Sequence, residues 1–381
     1  MQSTHKPILF TPGPLMTSDE VKRAMLTDYA SRDARFVQAV KFVREELISI
    51  AELDPQKWVC ILQPGSGTMG VEAAISTIFP RTGGKFFLIN SGKYAEKQAQ
   101  IAKRLQCPMV TLELDEGEEP KMSTLEAVIR ANPDITTVGL VHHETSIGMV
   151  YPAEQIAEVV RRELPNANII VDGISAFGGI PCDYEKACDV LVAAPNKCLH
   201  SVPGISIILA RRFLIEAAKG RSRSATLDLS MQLASFDASG QFAFTPPVHV
   251  VMALQQALVE YKRDGGLMGR QKVYRAKAHV VREAVKEMGF MLFLDERKPS
   301  CANVVVCVKM PTDPRWNFKK FFIYLNEHDL IIYPGKASKA ETFRFGIIGH
   351  TSVANCELLM KCAKKALQSL GIDHLQAVSN M

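Results

Sequence analysis

The sequence predicts an α/β protein: a mostly parallel sheet in a larger unit, followed by a smaller α+β unit. Three observations carry this. Between residues 57 and 211 short apolar runs alternate with stretches of helical period, as in repeated strand–helix–strand units. The apolar runs are nearly continuous, which suits strands covered by helices on both faces. At 381 residues the chain also exceeds what one hydrophobic core usually supports, so two units are expected.

In order, strands are predicted at WVCIL (58–62), KFFLIN (85–90), MVTLEL (109–114), TTVGLVHH (136–143), NIIVD (168–172), VLVAA (190–194) and ISIILA (205–210). Helices fall between them at 68–79, 93–105, 123–132 and 153–163. Residues 221–247, rich in Ser, Asp and Gln, break this rhythm and read as a long surface excursion, of the kind that often carries function. A helical pattern from 248 to 288 is interrupted at Gly265-Gly266, the expected link between a large unit (1–264) and a small one (265–381). The small unit shows strands near 302–309, 330–333 and 342–346, with helices near 317–327 and 353–369.

Composition narrows the function classes. With 47% hydrophobic and 22% charged residues this is an ordinary globular chain. The net charge of +5 is spread over dispersed residues, which disfavours nucleic acid as a partner. Nine cysteines, without a CxxC pair, argue for a reducing compartment and against a disulfide framework or a zinc site. No cationic leader and no apolar run of membrane-spanning length is visible, so a cytoplasmic location is the expectation.

Three places could carry chemistry. Gln63-Pro64-Gly65-Ser66-Gly67-Thr68 lies between a strand and a helix, where glycines admit close backbone approach and a helix start offers free amides to a phosphate; it reads equally as a tight turn. Asp172 closes an apolar strand, the end at which open α/β sheets bind ligands, and could pair with a protonated ring nitrogen or simply cap its loop. Lys197 follows the buried strand 190–194. A lysine with a lowered pKa there could bond to an aldehyde, although a surface lysine fits the same position.

Taken in order with Tyr94, these residues resemble the class V branch of fold-type I pyridoxal-phosphate enzymes. Further matching stretches are Thr-Pro-Gly-Pro (11–14), His-Glu-Thr (143–145), Asp-Gly-Ile-Ser-Ala-Phe-Gly-Gly (172–179), Pro-Asn-Lys-Cys (195–198), Gly-Arg-Ser-Arg-Ser (220–224), Phe-Thr-Pro-Pro (244–247), Tyr-Pro-Gly-Lys (333–336) and Phe-Arg-Phe-Gly (343–346). Within that branch the chain is most similar to the 2-aminoethylphosphonate:pyruvate aminotransferases. Alanine–glyoxylate and serine–pyruvate aminotransferases are more distant relatives and an alternative activity.

The resemblance implies the fold-type I PLP-transferase architecture with a seven-stranded sheet, pyridoxal 5'-phosphate as cofactor, an amino donor and a keto acid as substrates, and a homodimer with its site near the interface. It implies that Lys197 carries the cofactor and then moves the proton, that Asp172 keeps the ring nitrogen protonated, and that Tyr94 stacks on the ring. Ser66, Gly67 and Thr68 would hold the phosphate, with Thr245 reaching it from a second subunit. Thr145 would lie near the phenolic oxygen, and Arg344 would grip the anionic end of the substrate.

Other residues stay open. Arg32 and Arg35 stand where the branch usually has acidic residues, and could add charge for a phosphonate or lie on the surface of a first helix. Lys336 reads equally as a site-mouth or a turn lysine. His142 and His143 are neighbours on a strand, point to opposite faces and so cannot chelate one metal from it. A non-catalytic binding protein on the same fold is the rival from another class.

Overall fold

The computed structural model describes residues 6–335 and 340–375. A short strand β1 (Ile8–Leu9) leads into helices α1 (Asp19–Arg23) and α2 (Ala34–Ile50), whose first turns are capped by the Ser18 hydroxyl and the Asp33 carboxylate. The expected alternation then runs through β2 (Trp58–Gly65), α3 (Gly67–Ile78), β3 (Lys85–Asn90), α4 (Lys93–Arg104), β4 (Met109–Glu113), α5 (Met122–Arg130) and β5 (Ile135–Val141). It continues with a small hairpin, β6 (His143–Glu144) and β7 (Met149–Val150), then α6 (Ala153–Glu163), β8 (Asn168–Asp172), α7 (Tyr184–Ala187), β9 (Val190–Ala193) and β10 (Gly204–Arg211). Helices α8 (Arg212–Ala217), α9 (Leu229–Ser239), α10 (Val248–Arg263) and α11 (Gly266–Glu287) precede β11 (Val305–Lys309), α12 (Phe318–Glu327), β12 (Leu330–Ile331), β13 (Tyr333–Pro334), β14 (Thr342–Gly346) and α13 (Val353–Ser369).

The main sheet has seven strands in the order β2-β10-β9-β8-β5-β3-β4. Strands β4, β3, β5, β8 and β9 pair in parallel, and β10 is antiparallel to both of its neighbours. Continuous apolar strands such as β9, with all four residues buried, are what a sheet covered on both faces requires. The order turns back between β3 and β5. A crevice therefore opens at the carboxyl ends of these strands, the place where such sheets hold ligands.

Two readings of the sequence need correction. Residues 221–247 are not only a surface excursion, because α9 lies inside them with Leu229, Leu233 and Phe236 buried in the main core. Those three residues repeat at helical spacing, but the Ser, Asp and Gln between them mask so narrow a stripe. The strand expected over 136–143 stops at Val141, and His143 belongs to the separate hairpin β6–β7. In the C-terminal part, β11, β14 and β13 form a three-stranded antiparallel sheet. Its core includes Phe10 from the start of the chain, where β1 pairs in parallel with β12. Among the described residues no helix is long and apolar enough to cross a membrane.

Candidate active site

Asp172 is the last residue of β8 and is buried. Burial pushes its carboxyl up to about 7, helped by the nearby Glu144 charge and opposed by the Ile174 amide, which donates to Oδ1 at 3.0 Å, and by the Lys197 ammonium. The neighbouring parallel strand, β9, sets Val192 beside Asp172 and ends a few residues before Lys197, so both groups leave the same edge of the sheet. Lys197 Nζ donates to the Pro12 carbonyl at 2.7 Å. Gly13 lets that N-terminal segment pass so closely: its φ is +113°, and a Cβ there would stand 2.7 Å from Nζ.

The β2–α3 turn is pinned against the same two loops. A Cβ on Gly67 would meet the Ile174 side chain at 2.7 Å and the Ala194 Cβ at 3.3 Å, so the turn packs closely between the loops after β8 and β9. Ser66 is the N-cap of α3, yet its hydroxyl makes no capping bond, and Ser66 and Thr68 are exposed. The first amides of a helix have no partner within it and sit at its positive end, which is a binding place for an anion.

Across the crevice, Tyr94 is the second residue of α4, partly buried, with Lys97 Nζ 4.7 Å from its ring centroid. Arg344 lies within β14 with 1% of its surface exposed. Its Nη1 donates to the Thr145 carbonyl at 2.9 Å and its Nη2 to the Pro334 carbonyl at 3.1 Å, while Nε has no hydrogen-bond partner. Burial lowers its pKa, opposed by charge at Tyr94, Cys307 and Glu144. The structure thus gathers Ser66, Gly67, Thr68, Tyr94, Thr145, Asp172, Lys197 and Arg344 around the carboxyl edge of the sheet.

The family model of the class-V aminotransferases matches residues 22–355. This chain belongs to that family. A curated 2-aminoethylphosphonate–pyruvate transaminase of Pseudomonas aeruginosa is 40% identical over 367 residues, 96% of this chain and 97% of that one. Another, from Pseudomonas fluorescens, is 38% identical over 97% of this chain and 99% of its own length. Among solved structures, ureidoglycine–glyoxylate aminotransferase from Bacillus subtilis superposes with a TM-score of 0.86 at 23% identity, covering 97% of this chain and 94% of that one. Pyridoxamine–pyruvate aminotransferase from Mesorhizobium loti gives 0.85 at 22% identity, with the same coverage. This class-V aminotransferase is therefore a pyridoxal-phosphate-dependent enzyme with the fold-type I architecture.

The residues present fit that cofactor. A buried carboxyl held near neutrality suits a protonated ring nitrogen, an amine stands one strand away, and a helix start offers amides to a phosphate. Thr245 is exposed on the loop before α10. Arg32 and Arg35 are exposed, and Arg35 grips Asp33 through Nη2 (2.7 Å) and Nε (3.0 Å) at the start of α2. Lys336 lies outside the described residues. The segment 220–224 packs at the far end of α3, where the Arg223 amide donates to the Ser76 hydroxyl at 3.0 Å and Arg81 holds the Arg221 and Ser222 carbonyls. It therefore stands away from the Ser66–Thr68 end.

His142 and His143 are buried and pushed down to about 4 and 3 by loss of solvent. Their Nδ1 atoms bond Tyr184 Oη (3.2 Å) and Ser175 Oγ (3.0 Å). Among the described residues no group of three His, Cys, Asp or Glu side chains could hold a metal ion. Sequence reasoning passed over Glu144, which is wholly buried between Tyr94 and Ser146. Its only signal was its place between two residues already singled out.

Proposed function

We propose that this aminotransferase moves the amino group of 2-aminoethylphosphonate to pyruvate, giving phosphonoacetaldehyde and alanine in two half-reactions. The observation that carries the substrate class is Arg344. This buried arginine, with two carbonyl partners and an unpartnered Nε, suits bidentate capture of a phosphonate or carboxylate. Curated relatives named for that donor and acceptor support the same reading.

When bound, the cofactor supplies an electron-poor ring that stabilises negative charge on the carbon losing its proton. Asp172 would hold the proton on the ring nitrogen. Lys197 Nζ would hold the cofactor covalently, and its free amine would take the proton from the amine-bearing carbon of the donor and, in the second half-reaction, give one to the keto carbon of the acceptor. The helix start at Ser66, Gly67 and Thr68 would hold the phosphate, Tyr94 would cover one face of the ring, and Thr145 would lie near the phenolic oxygen. Arg344 serves both half-reactions because donor and acceptor each end in an anion.

Assembly belongs to this proposal. The enzyme works as a homodimer in the cytoplasm, with Thr245 of one copy reaching the phosphate of the other and the chain dividing at 264/265. Mixing the holoenzyme with 2-aminoethylphosphonate, and separately with alanine or serine, tests the donor. The phosphonate is expected to convert the bound cofactor to its aminated form, read by absorbance, at a higher kcat/KM than either amino acid. Conversion by alanine or serine alone would replace this reading with an alanine– or serine–glyoxylate activity.

A further inference from the structure

Glu144 is used by none of the roles above. It ends β6 and has no exposed surface, a depth at which a carboxylate needs strong partners. The Tyr94 amide donates to Oε2 at 3.0 Å, and the Ser146 amide and hydroxyl donate to Oε1 at 3.0 and 2.6 Å. The first of these bonds joins two elements. Helix α4 begins after Gly92, which has no side chain to cap it, so the Glu144 carboxyl supplies the cap from a neighbouring strand end; burial raises its pKa, and the bonds from Ser146 and Tyr94 oppose that rise. The fit is close: Gly92 has a φ of +146°, and a Cβ there would stand 3.0 Å from Glu144 Cγ and Oε2. On its other side, the next residue gives its carbonyl to Arg344 Nη1 at 2.9 Å.

We propose that Glu144 is the positioning residue of this site: one carboxylate fixes Tyr94 through the start of α4 and Arg344 through the Thr145 carbonyl, so that the aromatic face and the anion-gripping fork keep a set separation. The proposal rests on the roles given to Tyr94 and Arg344 above. Glu144 touches neither reacting carbon, and its effect passes through those two neighbours. Both its electrostatic influence on Arg344 and that on Asp172 agree with this central place.

The test uses the holoenzyme carrying Glu144→Gln or Ser146→Ala, the latter removing only a hydroxyl that holds the carboxylate. Glu144→Gln keeps the size but sets an amide NH2 against one of the donors. It is expected to raise both KM values, and the dissociation constant of the probe ethylphosphonate, about tenfold, with kcat changed less than threefold. Titrating cofactor-free protein with pyridoxal phosphate is expected to show a several-fold weaker affinity as α4 and Tyr94 shift. Ser146→Ala should move the same quantities by about threefold, and carries the test if Glu144→Gln does not fold.

A residue needed only for folding would lower the yield of folded enzyme and leave its KM and ethylphosphonate binding unchanged, which overturns the proposal. Combining Glu144→Gln with Arg344→Lys is expected to cost less than the product of the two single losses, because one acts through the other; a full product also overturns it. If Arg344→Lys alone leaves ethylphosphonate binding unchanged, the anion-binding role falls and this proposal with it. If Arg344→Lys weakens binding while Glu144→Gln and Ser146→Ala do not, only the role of Glu144 falls.

Discussion

The carboxyl edge of the seven-stranded sheet and the three-stranded sheet of the C-terminal part offer their functional residues in opposite ways. In the first, Asp172 is the last residue of a strand, Lys197 lies in the turn after one, and Ser66–Thr68 joins a strand to a helix. In the second, Arg344 lies within β14, paired across the sheet with Cys307 on one side and Tyr333 on the other. A strand end frees a side chain to take part in bond making. A strand interior fixes a planar cation between two neighbours, at a desolvation cost that the Thr145 and Pro334 carbonyls offset in part. On the proposed roles, chemistry belongs to the edge and recognition to the small sheet, so losses at the edge should reach kcat while losses in the small sheet reach KM.

Lys197→Ala is the largest expected effect. Turnover should fall by about 10⁴-fold or more, with loss of the visible absorbance of covalently held cofactor. A variant within tenfold of the parent would break the assignment of chemistry to this edge. Asp172→Asn comes next, lowering kcat by on the order of 10²- to 10³-fold, since it would remove one partner of the buried charge pair proposed with the ring.

The same substitution has a signature in the cofactor-free protein. With Asp172 raised to about 7, the folded state keeps a proton that the unfolded chain releases above about pH 4. This group therefore lowers stability as pH rises from about 4 to 7, by an amount of order 4 kcal/mol. His142 and His143, pushed down to about 4 and 3, act with the opposite sign: uncharged when folded and protonated when unfolded, they make stability rise toward pH 6.5. Asp172→Asn removes only the falling contribution. Chemical denaturation at several pH values should show the variant gaining on the parent between pH 4 and 7, and a constant difference would mean that Asp172 is not the group responsible.

The same contrast explains what the sequence revealed. Strand ends were legible because the main strands are apolar almost throughout, so the first polar residue after Ile169-Ile170-Val171 marks the edge, and it is Asp172. The small sheet was legible only as a pattern. Arg344 stood out through the Phe-Arg-Phe-Gly resemblance, and nothing in the chain pointed to the Thr145 carbonyl, 199 residues away, that holds it. Glu144 stayed hidden for a related reason, since a carboxylate in a loop reads as solvated until the fold brings the start of α4 against it. Residues 220–224, matched to the phosphonate branch only as a pattern, make contacts at the far end of α3 that nothing in the pattern disclosed.

Arg344→Lys sharpens the recognition half of the contrast. A lysine places one point charge where a planar fork stood and gives up the two-carbonyl geometry, so KM for both substrates should rise about 10- to 100-fold with a smaller change in kcat. A fall in kcat with KM unchanged would move Arg344 from recognition to chemistry.

Thr245→Ala should have the smallest effect, and it tests whether the edge of one sheet is complete within one chain. Thr245 is exposed. If a second copy brings its hydroxyl to the phosphate held by Ser66–Thr68, one hydrogen bond is lost, about 1 kcal/mol or roughly fivefold in cofactor affinity. The loss should be present where the enzyme sediments as a dimer and vanish on dilution to monomers, because mass action removes the partner before the cofactor leaves. A fivefold loss that persists in the monomer would place Thr245 within its own chain's site. No loss at any concentration would leave the helix start, without help from a partner, as the whole of the phosphate site.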